Sequence, residues 1–143
     1  NYSKGYFAIG RWKLKFPKLE IDLGQNHIRH KLSASKLCIS TYNATSFLET
    51  ISLNIPTIIF WNPNYFERRE SSDFFFEELK RVKVYHESPQ SAAIHVNEIK
   101  ENILEWWNSD SVSKVIKEFK NEYCRTPKSI LKVIKNELNY LNY

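Results

Sequence analysis

The sequence predicts an α/β fold, a Rossmann-like parallel sheet flanked by helices. Three observations lead there. Short apolar runs alternate with longer helical patterns along the chain, the order in which strands and crossover helices build a parallel sheet. The 143 residues are 42% apolar and 15% aromatic, enough bulk to bury the core of one domain. The clearest apolar run, Pro56-Thr57-Ile58-Ile59-Phe60-Trp61, has strand length and is closed by the breaker Asn62-Pro63-Asn64.

The elements follow in order. Residues 1–17 form a basic lead-in, residues 18–124 the Rossmann-like core and residues 125–143 a C-terminal helix, all in a single domain. Lys18 to Asp22 reads as a short strand ending at Gly24, Asn26 to Ala34 as a short helix, and Lys36 to Ser40 as a buried strand. Thr45 to Leu53 reads as a helix whose start is signalled by hydroxyls and Asn43. After the strand at Pro56 to Trp61, Glu67 to Arg81 gives a helix offering Phe74, Phe75, Leu79 and Val82 to the core, and Val82 to Tyr85 a last short strand. Ser88-Pro89 supplies an N-cap and a first-turn proline, and apolar residues then recur at helical spacing from Ala92 to Trp107. A helix from Ser109-Asp110 through Val112, Val115, Ile116, Phe119 and Tyr123 follows, and Thr126-Pro127 opens the last one, to about Leu141.

The chain has no methionine and begins at Asn1, which reads as a fragment of a longer protein. No apolar run approaches a membrane span, and residue 1 opens no signal-peptide pattern. Cys38 and Cys124 lie in unlike settings without ligand-like spacing, as reduced cytoplasmic thiols do. The net charge of +5 is uneven. Residues 1–36 carry eight Lys/Arg against Glu20 and Asp22, whereas residues 37–124 carry nine basic against thirteen acidic residues. A basic flank suits an anionic partner or is simply solvated surface. Lys13, Lys15 and Lys18 interleave with Trp12, Leu14 and Phe16, but no nucleic-acid recognition motif accompanies them. The partner expected is an anionic membrane surface or a lipid-linked acceptor, with no nucleic acid, and the expected location is the cytoplasm, with association at the inner membrane face.

Chemistry is expected after the second predicted strand. In an open α/β sheet, ligands bind at the carboxyl ends of the strands. Ser40 to Ser46 is such a loop, and its hydroxyls with the amides of the following helix suit a diphosphate, helped by the helix dipole. Glu49 lies one turn further and is placed to accept hydrogen bonds from a ribose diol. Helix capping explains Thr45 and Ser46 equally well.

The order Glu49, six residues, Pro56 and a buried strand resembles the C-terminal, nucleotide-binding half of the two-Rossmann-domain (GT-B) glycosyltransferases over Lys18 to Cys124. A narrower resemblance is to a bacterial transferase family named after a leptospiral protein and associated with surface-carbohydrate loci. It is carried by Ser40 to Trp61, Glu67-Arg68-Arg69, Phe74-Phe75-Phe76, His86-Glu87-Ser88, Ala92-Ala93, Val96 to Ile99 and Trp106-Trp107. The resemblance implies a nucleotide-sugar donor as substrate, no separate cofactor and no metal. It implies that Glu49 holds the ribose, that Thr41, Asn43, Thr45 and Ser46 surround the phosphates, and that the backbone of Ile21 meets the nucleobase. Asn62, Glu67 and Arg68 then contact sugar or phosphates. Thr41 stands where retaining members often carry a second Glu, which counts against a retaining mechanism of that type.

Each remaining candidate has a plain alternative. Arg68 and Arg69, read as opening a helix against its dipole, suggest a bound anion, and Arg68 is a candidate catalytic residue. His86 is a candidate acid or base, or a structural histidine. His27 and His30 lack further ligands for a metal site. Trp106-Trp107 suit core packing better than ligand stacking. The expected function is donor binding in a sugar-nucleotide-dependent transferase of surface or cell-envelope polysaccharide synthesis, with an acceptor domain outside this chain that activates the acceptor. The rivals are a glycerophosphate-type transferase on the same fold and a non-catalytic nucleotide-binding or interaction module.

Overall fold

Residues 57–60 set the architecture, because four consecutive residues that are buried or nearly so require cover on both faces of their strand. The computed structural model describes residues 3–24, 27–66, 68–125 and 129–140, with the backbone alone for residues 3–8, 29 and 140. Two compact units make up the chain, Asn1–Lys31 and Leu32–Tyr143.

The second unit holds a three-stranded parallel sheet, in the order β1 (Cys38–Ser40), β2 (Thr57–Phe60), β3 (Tyr85–His86). Cys38 pairs with Thr57 and Ser40 with Ile59, while Ile59 and Phe60 pair with Tyr85 and His86. Helices α3 (Thr45–Ser52) and α4 (Glu70–Arg81) connect the strands and pack with α7 (Asp110–Tyr123) in one core. That core joins Phe47, Ile51, Ile59, Trp61, Phe76, Leu79, Val115 and Phe119. On the other face Ile58 meets Ala92 and Ile99 of α5 (Pro89–Ile99), with Ile103 and Trp106 of α6 (Ile103–Trp107) against them. Adjacent residues Ile58 and Ile59 thus serve opposite faces, as the two-residue period of a strand dictates. Each fully buried isoleucine contributes about 1.5–3 kcal/mol relative to an exposed one. Between α3 and β2, Thr50 Oγ1 donates to Phe47 O at 2.9 Å, and Thr57 Oγ1 lies 2.9 Å from Thr50 Oγ1 and 2.7 Å from Ile55 O, which satisfies two buried hydroxyls.

Several expectations are corrected. Lys18 to Asp22 forms no strand: Leu19 and Leu23 are exposed, and Asp22 Oδ1 accepts from the Gly24 amide at 2.9 Å in a local turn that competes with extended pairing. The basic lead-in before it is helical, α1 (Ser3–Lys15). The strand expected over Lys36 to Ser40 is shorter and only partly buried: Ser40 is buried, but Ile39 is 46% exposed, because the face of β1 that it points to is left partly uncovered. The helix expected from Glu67 starts at Glu70, with Arg69 as its N-cap, so Arg68 and Arg69 precede the helix and do not oppose its dipole from within the first turn. Phe76, not Phe74, enters the core. The strand expected over Val82 to Tyr85 is instead Tyr85–His86, because Lys83 takes a left-handed φ of 61° that no strand accommodates. The helical run from Ala92 to Trp107 breaks after Ile99, where the Asn102 amide bonds back to Ile99 O. The expected short helix is α2 (Ile28–Ala34) and the last one is α8 (Ile130–Tyr140); Asn26, Thr126, Pro127 and Leu141 lie outside the described residues.

Candidate functional site

Strands β1 and β2 run parallel, so both deliver their following loops to the carboxyl end of the sheet. Between those loops and the last turn of α7 opens a crevice of about 400 Å3. Asn43, Phe47 and Leu48 line it from the first loop and α3, Arg68, Arg69, Ser72 and Phe76 from the second loop and α4, and Phe119, Glu122 and Tyr123 from α7. Strand order does not reverse within β1-β2-β3, so the crevice rests on the carboxyl-end position alone.

Arg68 is the chemically distinctive lining residue. Its side chain is only 14% exposed and its sole ion pair among the described residues, Nη2 to Asp73 Oδ1, is long at 3.6 Å. The guanidinium carbon lies 4.8 Å from the Phe76 ring centre and 5.6 Å from that of Tyr85. Nη1 is shielded from water and has no acceptor among the described residues. Aromatic faces attract the cation but accept little of its hydrogen-bonding capacity, so a fork of planar donors is held in place with one arm unused. Burial raises the pKa of the Tyr85 phenol, the nearby Arg68 charge acting in the opposite sense.

The start of α3 borders the same crevice. Its N-cap is Ala44, in extended conformation, with no side-chain hydrogen bond to the first-turn amides. The hydroxyl cap expected from Thr45 and Ser46 is therefore absent: both already lie inside the helix, too far along to cap it. Glu49 is exposed one turn on.

Of the residues singled out from sequence, the crevice brings together Asn43, Arg68 and Arg69. Thr41, Thr45, Ser46 and Glu49 lie on the adjoining loop and helix without lining it, Thr41, Thr45 and Glu49 exposed and Ser46 half-buried. Asn62 is occupied structurally, its Oδ1 accepting from the Asn64 amide at 2.9 Å to cap a short 3-10 turn at Pro63–Tyr65. Glu67 lies outside the described residues, and Ile21 belongs to the unit Asn1–Lys31, in irregular backbone. Sequence reasoning missed Ser72 and Tyr123 as lining residues; the helical spacing of Phe119 and Tyr123 marked them only as core.

His86 lies in a different cavity, of about 410 Å3, between β3, α5 and the end of α4. Its Nε2 lies 2.9 Å from Lys83 O, which only accepts, so Nε2 carries the proton and Nδ1 accepts from Ser91 Oγ at 2.8 Å. Both ring nitrogens are engaged and burial lowers the pKa, the behaviour of a neutral structural histidine. The His95 ring lies 5.5 Å away, its pKa also lowered by burial, with Nδ1 3.3 Å from Glu98.

A family model, LIC12162 family transferase, matches residues 1–138. The chain belongs to this family. At the level of its family it is a transferase, and the match spans both compact units. No curated protein and no solved structure matches the chain. Among the described residues no helix is long and apolar enough to cross a membrane.

Proposed function

We propose that the chain binds the nucleoside diphosphate of an activated sugar donor at the carboxyl end of its sheet, as the nucleotide half of a GT-B-like glycosyltransferase of envelope polysaccharide synthesis. The observation that carries this reading is Arg68, held nearly buried on the crevice wall with Nη1 lacking an acceptor among the described residues, beside Asn43 and the uncapped amides of α3. A diphosphate complements all three: negative charge for the guanidinium, acceptor oxygens for the Asn43 amide, and both for the α3 amides and the helix dipole behind them. Thr41, Thr45 and Ser46 adjoin that position, and Glu49 is placed one turn beyond it for the ribose hydroxyls.

In the transfer, an acceptor hydroxyl oxygen forms the new bond to the anomeric carbon as the carbon–oxygen bond to the nucleoside diphosphate breaks. The leaving group takes the electron pair, and Arg68 with the α3 amides stabilises the charge that develops on it. The reading leaves deprotonation of the acceptor to the partner domain of such an architecture.

Titration with uridine, cytidine, guanosine and thymidine diphosphates, read by chemical shifts, tests it. One nucleotide is expected to perturb residues 43–48 and 68–72, and Arg68→Lys, which keeps charge but loses the fork, to weaken binding about tenfold or more. Absence of binding by all four, or affinity unchanged in both Arg68→Lys and Glu49→Ala, would overturn the assignment. A cytidine preference with turnover of a glycerophosphate donor would favour the glycerophosphate transferase instead.

A further inference from the structure

Helix α1 and the turn after it combine exposed apolar and basic side chains in one short segment. Leu14 is 86% exposed and Trp12 54%, and Phe16, Leu19 and Leu23 are exposed as well. Arg11, Lys13, Lys15 and Lys18 stand exposed among them, and residues 1–18 contain five basic and no acidic side chains. Trp12 and Phe16 stack at 5.7 Å, and Lys15 Nζ lies 5.7 Å from the Phe16 ring centre. Arg11 and Lys15, four residues apart, share one helical stripe, while Lys13 falls between Leu14 and Phe16 around the axis, so basic and apolar side chains are interleaved around the segment.

We infer that α1, with residues 16–23, is an interfacial docking surface for an anionic phospholipid bilayer. Charge complementarity selects the occupant: five basic side chains stand against only Glu20 and Asp22 over residues 1–23, and each Lys or Arg that reaches a negative surface gains about 1 kcal/mol. The apolar half selects a bilayer over a nucleic acid. Leu14, Leu19 and Leu23 have no counterpart on a phosphate backbone, whereas the acyl boundary accepts them, and an indole ring favours the interface itself. Long lysine stems let the ammonium groups stay at headgroup level while the leucines descend. The inference is independent of the donor-site reading, because it uses only residues of the unit Asn1–Lys31.

Vesicle flotation of the full 143-residue chain provides the test, with phosphatidylcholine alone set against equal parts of phosphatidylcholine and phosphatidylglycerol. Binding is expected to the anionic vesicles only and to fall at high salt. The triple variant Lys13→Gln, Lys15→Gln, Lys18→Gln is expected to lose about a hundredfold in partitioning, and Trp12→Ala with Leu14→Ser to lose binding at unchanged net charge. Brominated acyl chains are expected to quench wild-type tryptophan fluorescence and to spare the Trp12→Ala, Leu14→Ser protein. Unchanged helical content and melting temperature confirm that these surface variants fold. No flotation, equal binding to neutral vesicles, or full binding by either variant would overturn the inference, as would a preference for RNA over anionic vesicles in direct competition.

Discussion

Three side chains that carry protons or charge in the interior behave differently for reasons of their partners. Arg68 lies over aromatic rings with Nη1 lacking an acceptor among the described residues, whereas His86 has both nitrogens engaged and His95 leans on Glu98. The histidine pair makes stability depend on pH. Burial lowers both pKa values below the ordinary 6.5, so between those values and 6.5 the unfolded chain binds more protons than the folded one. Stability is therefore full above that ordinary value and declines as pH falls through it. Lys83 adds to the penalty on either imidazolium, and Glu98 opposes it. Melting temperature is expected to fall between about pH 7.5 and about pH 5.5. The slope should flatten in His86→Asn, whereas a slope identical to wild type would show that this ring does not titrate on unfolding.

At the scale of elements, α3 offers the sharpest separation of structure from function. Its N-cap backbone is already extended, at φ −140° and ψ 172°, but alanine provides no acceptor. Ala44→Asp is expected to stabilise the fold by about 1 kcal/mol through the missing cap. If a diphosphate uses the same amides, the new carboxylate competes with it, so nucleotide affinity should drop while thermal stability rises. Higher stability with undiminished affinity would move the phosphates elsewhere. Where elements were legible, a local signal matched the fold: Ser88-Pro89 does cap α5, with Ser88 Oγ accepting from the Ser91 amide, and Pro56 does precede the central strand. Where the reading slipped, a backbone fact outweighed side-chain pattern. Hydroxyls near a helix start suggested a cap one residue from its true place, and the left-handed Lys83 shifted β3 by three residues at its start. Asn43 and Arg68 were legible as site residues because each follows a strand, but the setting of the guanidinium depends on Phe76 and Tyr85, which no spacing in the sequence brings to residue 68.

For the whole molecule, the sheet has two buried strands, β2 and β3, and one edge strand, β1, that is partly open. That asymmetry makes a graded prediction about isoleucines that look alike in sequence. Ile58 and Ile59 are both fully buried, facing the α5 side and the α3–α4–α7 side respectively, whereas Ile39 is nearly half exposed. Ile58→Ala and Ile59→Ala should each cost about 2–5 kcal/mol, the transfer of the lost methyl groups plus the cavity left in a close-packed interior. Ile39→Ala should cost less than about 1 kcal/mol, since much of its surface never leaves water. Because the two central residues serve separate cores yet one strand, the loss of either removes a layer contact from the same sheet. Urea denaturation followed by both tryptophan fluorescence and circular dichroism would then show coincident transitions shifted to lower urea. Were Ile58→Ala as mild as Ile39→Ala, the α5 face would be a loose cover instead of a second core, and the three-layer arrangement argued for residues 57–60 would fail.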